Sequence, residues 1–150
     1  MQLFVVRHGE SANNALTDVS QRSKDPKLTD NGERQIVHAA QFIAAGRHLT
    51  QGERAGGGPY IDHLYCSPMW RSLRTAQPIG QEFGLSPEVW VDIHESGGIF
   101  LDHGTDGGVV GYPGMTSGEM LSEFPGYTIP EQVSDQGWWN GGMEPLHLCH

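Results

Sequence analysis

Length, composition and charge exclude several classes of protein. A chain of 150 residues is long enough for one domain with a hydrophobic core, and with 37% hydrophobic and 18% charged residues it lacks the polar excess of a disordered chain. The formal charge of −9 argues against a nucleic-acid binder, because that function usually needs a basic face.

The apolar runs and the cysteines favour a cytoplasmic location. No uninterrupted apolar stretch is longer than that of residues 3–6, which is far too short for a membrane span, and no basic patch precedes it as in a secretory signal. Cys66 and Cys149 are too few for a disulfide scaffold, so we predict reduced thiols. We therefore predict a cytoplasmic protein with no membrane partner.

The first half of the chain predicts a strand, a helix and a loop. Residues 2–6 form an apolar, β-branched run that ends in polar residues, which is typical of a buried strand. Thr29 or Asp30 can cap a following helix, and Gly46 is a plausible stop. The apolar residues of this helix recur at helical spacing: Ile36, Ala39, Ala40 and Ile43. Residues 47–59 are predicted to form a flexible surface loop.

Two further strands are predicted at residues 61–66 and 89–93. Between them, Ser67-Pro68 is typical of a helix start, and the helix is expected to reach about Phe83. Pro78 lies inside this helix and should bend or interrupt it. Strands that alternate with helices predict an α/β fold around a mainly parallel sheet with right-handed crossovers.

Composition and charge change along the chain. Glycine becomes frequent after residue 96, so we predict one domain over residues 1–150 with a motif-bearing core (1–98), a Gly-rich lid or insertion (99–144) and a tail (145–150). All nine Lys and Arg residues lie at or before Arg74, whereas the rest of the chain carries eleven acids. This asymmetry indicates either a solvated acidic face or a chain that stops before the balancing basic residues.

Polar residues follow each predicted strand, where reactive groups of parallel sheets collect. Arg7 and His8 follow the first strand, Arg71 follows the second, and Glu95 follows the third. Neutral imidazole is a good nucleophile toward phosphorus, and two guanidinium groups can bind phosphoryl oxygens. For an isolated histidine, however, a hydrogen-bonded loop residue is the more common outcome.

The other candidate site residues can also be explained by ordinary structural roles. Gly9 allows a substrate to approach the backbone closely, and Glu95 is able to give a proton to a leaving oxygen. Taken alone, Glu95 is a surface carboxylate and Arg71 a solvated helix residue. Arg74 lies one turn beyond Arg71, where a surface role is at least as expected as a site role.

Four motifs in order resemble the histidine phosphatase superfamily, also called the phosphoglycerate mutase-like family. The segment 7–11 with Asn14 looks like the nucleophile motif, and Leu28-Thr29 with Gly32 and Gln35 looks like the first-helix signature. Residues 67–76 resemble the third motif, and Glu95 before two glycines resembles the acid loop. The resemblance spans residues 1 to about 98.

The resemblance implies both a fold and a set of roles. The fold would be a phosphoglycerate mutase-like three-layer sandwich, incomplete at its C-terminus. His8 would become phosphohistidine, Arg7 and Arg71 would clamp phosphate, and Glu95 would donate a proton. The residues expected to contact a small phosphorylated substrate are Asn14, Gly9, Ser11 and Arg74. No cofactor or metal is expected, because arginines supply the positive charge.

One family feature is missing from this sequence. The family carries a second histidine, followed by glycine, at the end of a later apolar strand beside the first one. His103-Gly104 follows Glu95 too closely to take that place, and His147 and His150 follow no strand-like run. A sheet without that strand would expose an apolar edge along residues 3–6, so we predict a homodimer through this edge.

Three functions therefore stay open. The first is a phosphatase that hydrolyses a phosphomonoester through phosphohistidine on His8, and the second is a phosphoglycerate mutase-type isomerase with the same residues. The third is a truncated phosphate-binding or interaction protein without turnover. Because the second histidine normally completes the phosphate cage, efficient activity of the 150-residue form is not expected.

Overall fold

A computed structural model describes residues 2–57 and 61–144. The helices are α1 (Ala12–Ala15), α2 (Asp30–Ala44), α3 (Gln51–Ala55), α4 (Trp70–Phe83), α5 (Gly104–Gly107) and α6 (Ser117–Glu123). The strands are β1 (Tyr65–Cys66), β2 (Glu88–Val89), β3 (Phe100–Asp102) and β4 (Val109–Gly111). Single 3-10 turns cover Val19–Gln21 and Val91–Ile93. The predicted tail, residues 145–150, lies outside the described residues.

The predicted α/β class is confirmed. Strands β1 and β2 pair in parallel and are joined by α4, as a crossover connection requires. Strands β3 and β4 form a separate antiparallel hairpin. Helices α2 and α4 pack against each other, which brings the first-helix signature and the third motif together.

Helix α2 forms where its local signals place it. The Thr29 hydroxyl accepts a hydrogen bond from Gly32 N at 3.0 Å, which satisfies a free amide of the first turn. Ile36 and Ala40 are buried, so one face of the helix enters the interior. Gly46 follows the helix with a φ of +61°, a conformation that glycine adopts without strain.

Helix α4 is continuous, so the predicted interruption at Pro78 is wrong. A proline removes one backbone donor and crowds one carbonyl, and three buried residues of the same helix offset that cost: Leu73, Ala76 and Ile79. The helix ends at Gly84, which adopts a φ of +65°. Packing of the buried face therefore outweighs the local effect of the proline.

The second and third predicted strands are much shorter than expected. Of residues 61–66 only Tyr65–Cys66 pair, and of residues 89–93 only Val89 does, with Glu88 before it. The residues after Val89 turn into a 3-10 helix over Val91–Ile93. Each strand extends only as far as its partner supplies backbone groups for pairing.

The predicted first strand, residues 2–6, does not form. Within the described part of the chain it has no strand partner, and Leu3 and Val5 are 80% and 87% exposed. A strand is stabilised by hydrogen bonds to neighbours, and an apolar sequence alone does not provide them. The expectation of burial is therefore also wrong for this segment.

The predicted loop at residues 47–59 contains a short helix. Thr50 and Glu53 form a capping box around the first turn of α3, with Glu53 accepting from Thr50 N at 2.8 Å. The two hydrogen bonds of this capping box satisfy backbone amides that would otherwise lack acceptors, and they stabilise the first helical turn. The glycine and proline at positions 58 and 59 lie outside the described residues.

Residues after 111 supply much of the interior. Met120 and Phe124 are almost fully buried, and Tyr127, Val133 and Trp138 join the same core cluster. The Tyr127 hydroxyl donates a 2.8 Å hydrogen bond to Leu73 O on α4. Burial raises the pKa of this phenol well above its usual range. The segment thus packs against the helix that carries Arg71.

Replacing Gly32 with alanine should disturb the loop that carries His8. A Cβ at Gly32 would collide with the backbone of Glu10, and one at Gly9 would lie 2.6 Å from Gly32 O. We expect Gly32→Ala to lower the free energy of unfolding by about 1–3 kcal/mol, as overpacking does. Chemical denaturation measures this. Gly52→Ala is the matched control, because a Cβ there meets nothing within 4 Å and should cost no stability; equal losses in both variants would contradict the close contact.

Candidate active site

His8 lies directly after the unpaired N-terminal segment, with both ring nitrogens engaged. Its Nδ1 lies 2.7 Å from Gly9 O, and its Nε2 lies 3.2 Å from Arg71 Nε. A carbonyl oxygen only accepts, so Nδ1 carries the hydrogen and donates it. Nε2 then keeps its lone pair, which accepts a hydrogen bond from Arg71 Nε–H. The nitrogen of His8 that could accept a phosphoryl group therefore faces a guanidinium group.

Arg71 connects three parts of the chain through one buried side chain. It lies in the first turn of α4 and is only 7% exposed. Besides His8, its Nη2 donates to the Glu95 carboxylate and to Met69 Sδ, and its Nη1 lies 3.6 Å from Asp25 Oδ1. Buried arginine is stable when carboxylates compensate its charge, as they do here.

Asp25 is a site residue that the sequence analysis missed. Its carboxylate accepts hydrogen bonds from Trp70 N at 3.2 and 3.1 Å, so it fixes the start of α4 beside Arg71. Burial raises the pKa of Asp25, while the Trp70 amide and the charge of Arg71 oppose that rise. No local pattern marks this role, because Asp25 acts on a residue 45 positions away.

A cleft of about 730 Å³ opens at His8. Predicted site residues from all three regions line it: Arg7, His8, Ser11, Asn14, Arg71 and Glu95. Arg7 and Glu95 are exposed, whereas Arg71 is buried behind His8. The cleft can therefore hold an anion between a buried and an exposed guanidinium group, next to a nucleophile and a carboxylate.

Ser11 and Asn14 organise the first turn of α1 at the edge of this cleft. Asn14 Oδ1 accepts from Ser11 N at 3.2 Å and from Ser11 Oγ at 2.9 Å. Ser11 Oγ in turn accepts from Asn14 N at 3.4 Å, which completes a capping box. These bonds use the oxygen of the Asn14 amide. Its nitrogen is thus the donor that it can offer to a phosphoryl oxygen.

Gly9 and Arg74 do not line the cleft. Gly9 is buried against α2, and its amide donates to Thr75 Oγ1 at 3.3 Å, so the glycine serves close packing of the backbone. The Arg74 guanidinium instead contacts Glu33 through two atoms, at 3.0 and 2.8 Å. These bonds raise the pKa of Arg74 and hold its charge away from His8.

Cys66 is a buried thiol on strand β1. Burial raises its pKa to about 12, so it stays protonated and unreactive at neutral pH. Within residues 2–57 and 61–144 no group of three or more His, Cys, Asp or Glu residues is placed to hold a metal ion. No helix in the same ranges combines the length and apolar character that crossing a bilayer demands.

Comparison with known proteins gives consistent matches. The family model of the histidine phosphatase superfamily (branch 1) matches residues 3–103. A probable phosphoglycerate mutase GpmB of Cronobacter sakazakii is 36% identical over 84 residues, covering 56% of this chain and 33% of that protein. The chain thus spans about a third of the length of this curated relative.

Solved structures with a similar fold include two phosphatases. The ecdysone phosphate phosphatase of Bombix mori, in complex with tungstate, aligns with a TM-score of 0.53 at 18% identity, covering 93% of this chain and 59% of that one. A mycobacterial glucosyl-3-phosphoglycerate phosphatase aligns with a TM-score of 0.43 at 22% identity, covering 79% and 45%. The first alignment extends the similarity of the fold beyond residue 103.

Proposed function

Because this chain belongs to the histidine phosphatase superfamily (branch 1), we propose that it hydrolyses a phosphomonoester through a phosphohistidine on His8. The observation that carries the proposal is the contact of His8 Nε2 with Arg71 in a cleft that Arg7 and Glu95 also line. Phosphoryl transfer depends mainly on positioning and on stabilising charge, and these residues offer both.

The proposed first step forms a bond between His8 Nε2 and phosphorus and breaks the bond to the leaving oxygen. The phosphoryl oxygens replace His8 Nε2 and Glu95 as acceptors for Arg71, which frees the lone pair of Nε2. Arg7 and the Asn14 amide bind the remaining oxygens. Glu95 takes up a proton from solvent once phosphate replaces it as the partner of Arg71, and it gives this proton to the leaving oxygen. The hydrogen bond between His8 Nδ1–H and Gly9 O keeps the ring aligned.

In the proposed second step, water attacks phosphorus and the N–P bond breaks. Glu95 now takes the proton of the water, and inorganic phosphate leaves. A mutase would differ only here, because a hydroxyl of a second substrate would replace water. The probable phosphoglycerate mutase relative favours this alternative, and release of free phosphate distinguishes hydrolysis from transfer.

A phosphate-binding protein without turnover is the third candidate. It is favoured by the contacts of Arg71, whose Nε and Nη2 already donate to His8, Met69 and Glu95. An entering phosphate must replace these partners, and this rearrangement opposes formation of the reactive complex. Turnover of an aryl phosphate at a rate typical of enzymes would exclude this candidate.

Incubation with a ³²P-labelled phosphoester should leave acid-labile label on the wild type and none on His8→Ala. The reason is that the lone pair of His8 Nε2 lies in the cleft and accepts a hydrogen bond from the Arg71 guanidinium. Rapid acid-free quenching and gel autoradiography measure the label. His38→Ala is the matched control, because His38 is exposed on α2 and does not line the cleft. Equal labelling of His8→Ala and wild type would defeat the proposal.

The exposed N-terminal segment supports a homodimer, which we also propose, together with a cytoplasmic location. Pairing of residues 3–6 between two copies would satisfy backbone groups and cover Leu3 and Val5. Sedimentation velocity should show a dimer that Val5→Glu converts to a monomer. Val19→Glu, at another exposed apolar residue, should leave the dimer intact. A monomeric wild type would contradict the dimer.

A further inference from the structure

Two Asn-Gly pairs occur in the chain, and the structure places them in different surroundings. Asn31-Gly32 lies in the first turn of α2, whereas Asn140-Gly141 lies in the irregular segment after Trp139. An asparagine before glycine is prone to deamidation, because glycine has no side chain to keep its backbone nitrogen away from the asparagine amide. Neither Asn31 nor Asn140 has a role in the phosphoryl transfer described above.

Deamidation of an Asn-Gly pair consumes water and releases ammonia. The backbone nitrogen of the glycine attacks the side-chain carbonyl carbon of the asparagine and forms a new C–N bond. The side-chain amide nitrogen takes the proton of the glycine nitrogen and leaves as ammonia. Water then opens the resulting succinimide ring at either carbonyl carbon. The product is aspartate or isoaspartate, and in isoaspartate the main chain runs through the side chain and is one methylene longer.

The Asn31-Gly32 pair is held in a geometry that opposes this attack. Gly32 N donates a 3.0 Å hydrogen bond to the Thr29 hydroxyl, so the attacking nitrogen is already engaged. Gly32 is also buried directly against the backbone of Glu10. Ring closure requires the ψ angle of Asn31 to leave the helical value of about −42°, which opens the first turn of α2. This pair is therefore protected in the folded protein.

The Asn140-Gly141 pair has none of these restraints. Both residues are exposed, and they belong to no helix or strand. Within the part of the chain that the structure describes, Gly141 N donates no hydrogen bond. A second glycine, Gly142, follows, so the backbone can reach the conformation that ring closure needs.

The segment after Trp139 is attached to the loop that carries Glu95. Trp139 Nε1 donates to Gly142 O at 3.0 Å, and Glu144 N donates to Gly97 O at 3.2 Å. An isoaspartate in this segment would insert a methylene between Trp139 and Glu144. These two hydrogen bonds could then not both keep their register.

We propose that Asn140 is a site of spontaneous deamidation, which converts the Asn140-Gly141 linkage to isoaspartate and thereby loosens the loop that carries Glu95. Asn31, which also precedes a glycine, stays intact in the folded protein. Conversion becomes faster as the pH rises, because the attacking nitrogen must lose its proton. This modification does not depend on phosphoryl transfer, so it can be tested whether or not the chain hydrolyses a phosphoester.

The test is incubation of the folded protein at mildly alkaline pH, followed by digestion with endoproteinase Glu-C and tandem mass spectrometry. This protease cuts after glutamate, so the two Asn-Gly pairs fall in separate peptides, 11–33 and 132–144. Asn140 should convert at least about tenfold faster than Asn31, because the helical site reacts only after local opening. In urea, which removes the protection, the two asparagines should convert at similar rates.

Two variants connect the modification with the loop. Asn140→Gln removes the reactive pair, and Asn140→Asp carries the charge of the product without the longer main chain. After incubation, hydrogen exchange at residues 95–98 should rise in the wild type and stay unchanged in Asn140→Gln. Freshly prepared Asn140→Asp should exchange like the fresh wild type, which assigns the effect to the added methylene.

Three results would overturn the inference. The first is equal conversion of Asn31 and Asn140 in the folded protein. The second is an Asn140 that converts in urea but stays intact in the folded protein. The third is unchanged hydrogen exchange at residues 95–98 in wild type whose Asn140 has been converted. None of these measurements uses a phosphoester, so they stand apart from the labelling of His8.

Discussion

Replacing Arg71 with alanine is expected to lower the kcat of the proposed phosphatase reaction by about 10³-fold or more and the free energy of unfolding by about 3–5 kcal/mol. Activity falls because the guanidinium that faces His8 Nε2 and the transferred oxygens is gone. Stability falls because the Asp25 carboxylate, whose side chain is 12% exposed, is left without its cation. Steady-state kinetics and urea denaturation measure the two effects.

Two variants separate these effects. Arg71→Ala with Asp25→Asn removes the unpaired charge and keeps an oxygen acceptor for Trp70 N, so it should regain part of the lost stability while kcat stays low. Arg74→Ala lies one turn further on the same helix and outside the cleft, so it should keep kcat within about threefold. This control also tests the prediction that Arg74 binds substrate. A wild-type kcat in Arg71→Ala would contradict the proposed role of the arginine, whatever its stability.

Replacing Phe124 with alanine is expected to lower the free energy of unfolding by about 3–5 kcal/mol, as for other large-to-small changes in a core. Phe124 is 1% exposed and packs against Trp70 and Tyr127 at centroid distances of 6.0 and 5.4 Å. These contacts link the end of α6 to the helix that carries Arg71. Urea denaturation measures the change, and the m-values of the variant and the wild type are compared to check that both unfold in the same way.

Leu121→Ala is the matched control for Phe124→Ala. Leu121 lies on the same short helix but is 52% exposed, so its truncation should change stability by less than about 1 kcal/mol. The comparison also tests the prediction that residues 99–144 form a lid or insertion. If residues 99–144 only covered the cleft, Phe124→Ala would not lower the free energy of unfolding of the whole protein. An unchanged free energy of unfolding would therefore contradict the place of Phe124 in the core.

The candidate site was predictable where the residues concerned lie next to local signals. His8, Arg7, Arg71 and Glu95 follow predicted strands, and the structure brings all four to one cleft. Asp25 was not predictable, because its role arises from a contact with Trp70 N and Arg71 across 45 positions. The contact of Arg74 with Glu33 on a different helix was not predictable for the same reason, and a role of Arg74 in substrate binding stays a prediction.

Local sequence signals predicted helix α2, the end of α4 and the order of the polar motifs, whereas the predicted start of α4 at Ser67-Pro68 is wrong, because the helix begins at Trp70 with no side-chain cap. A cap such as Thr29, the spacing of Ile36 and Ala40, and a terminal Gly84 all act within a few positions along the chain, so they can be recognised there. Only the tertiary structure decided the strands, since pairing needs a neighbour from a distant part of the chain. That is why residues 2–6 stay unpaired despite their apolar sequence, and why the partners of Arg71 emerge only in the folded molecule.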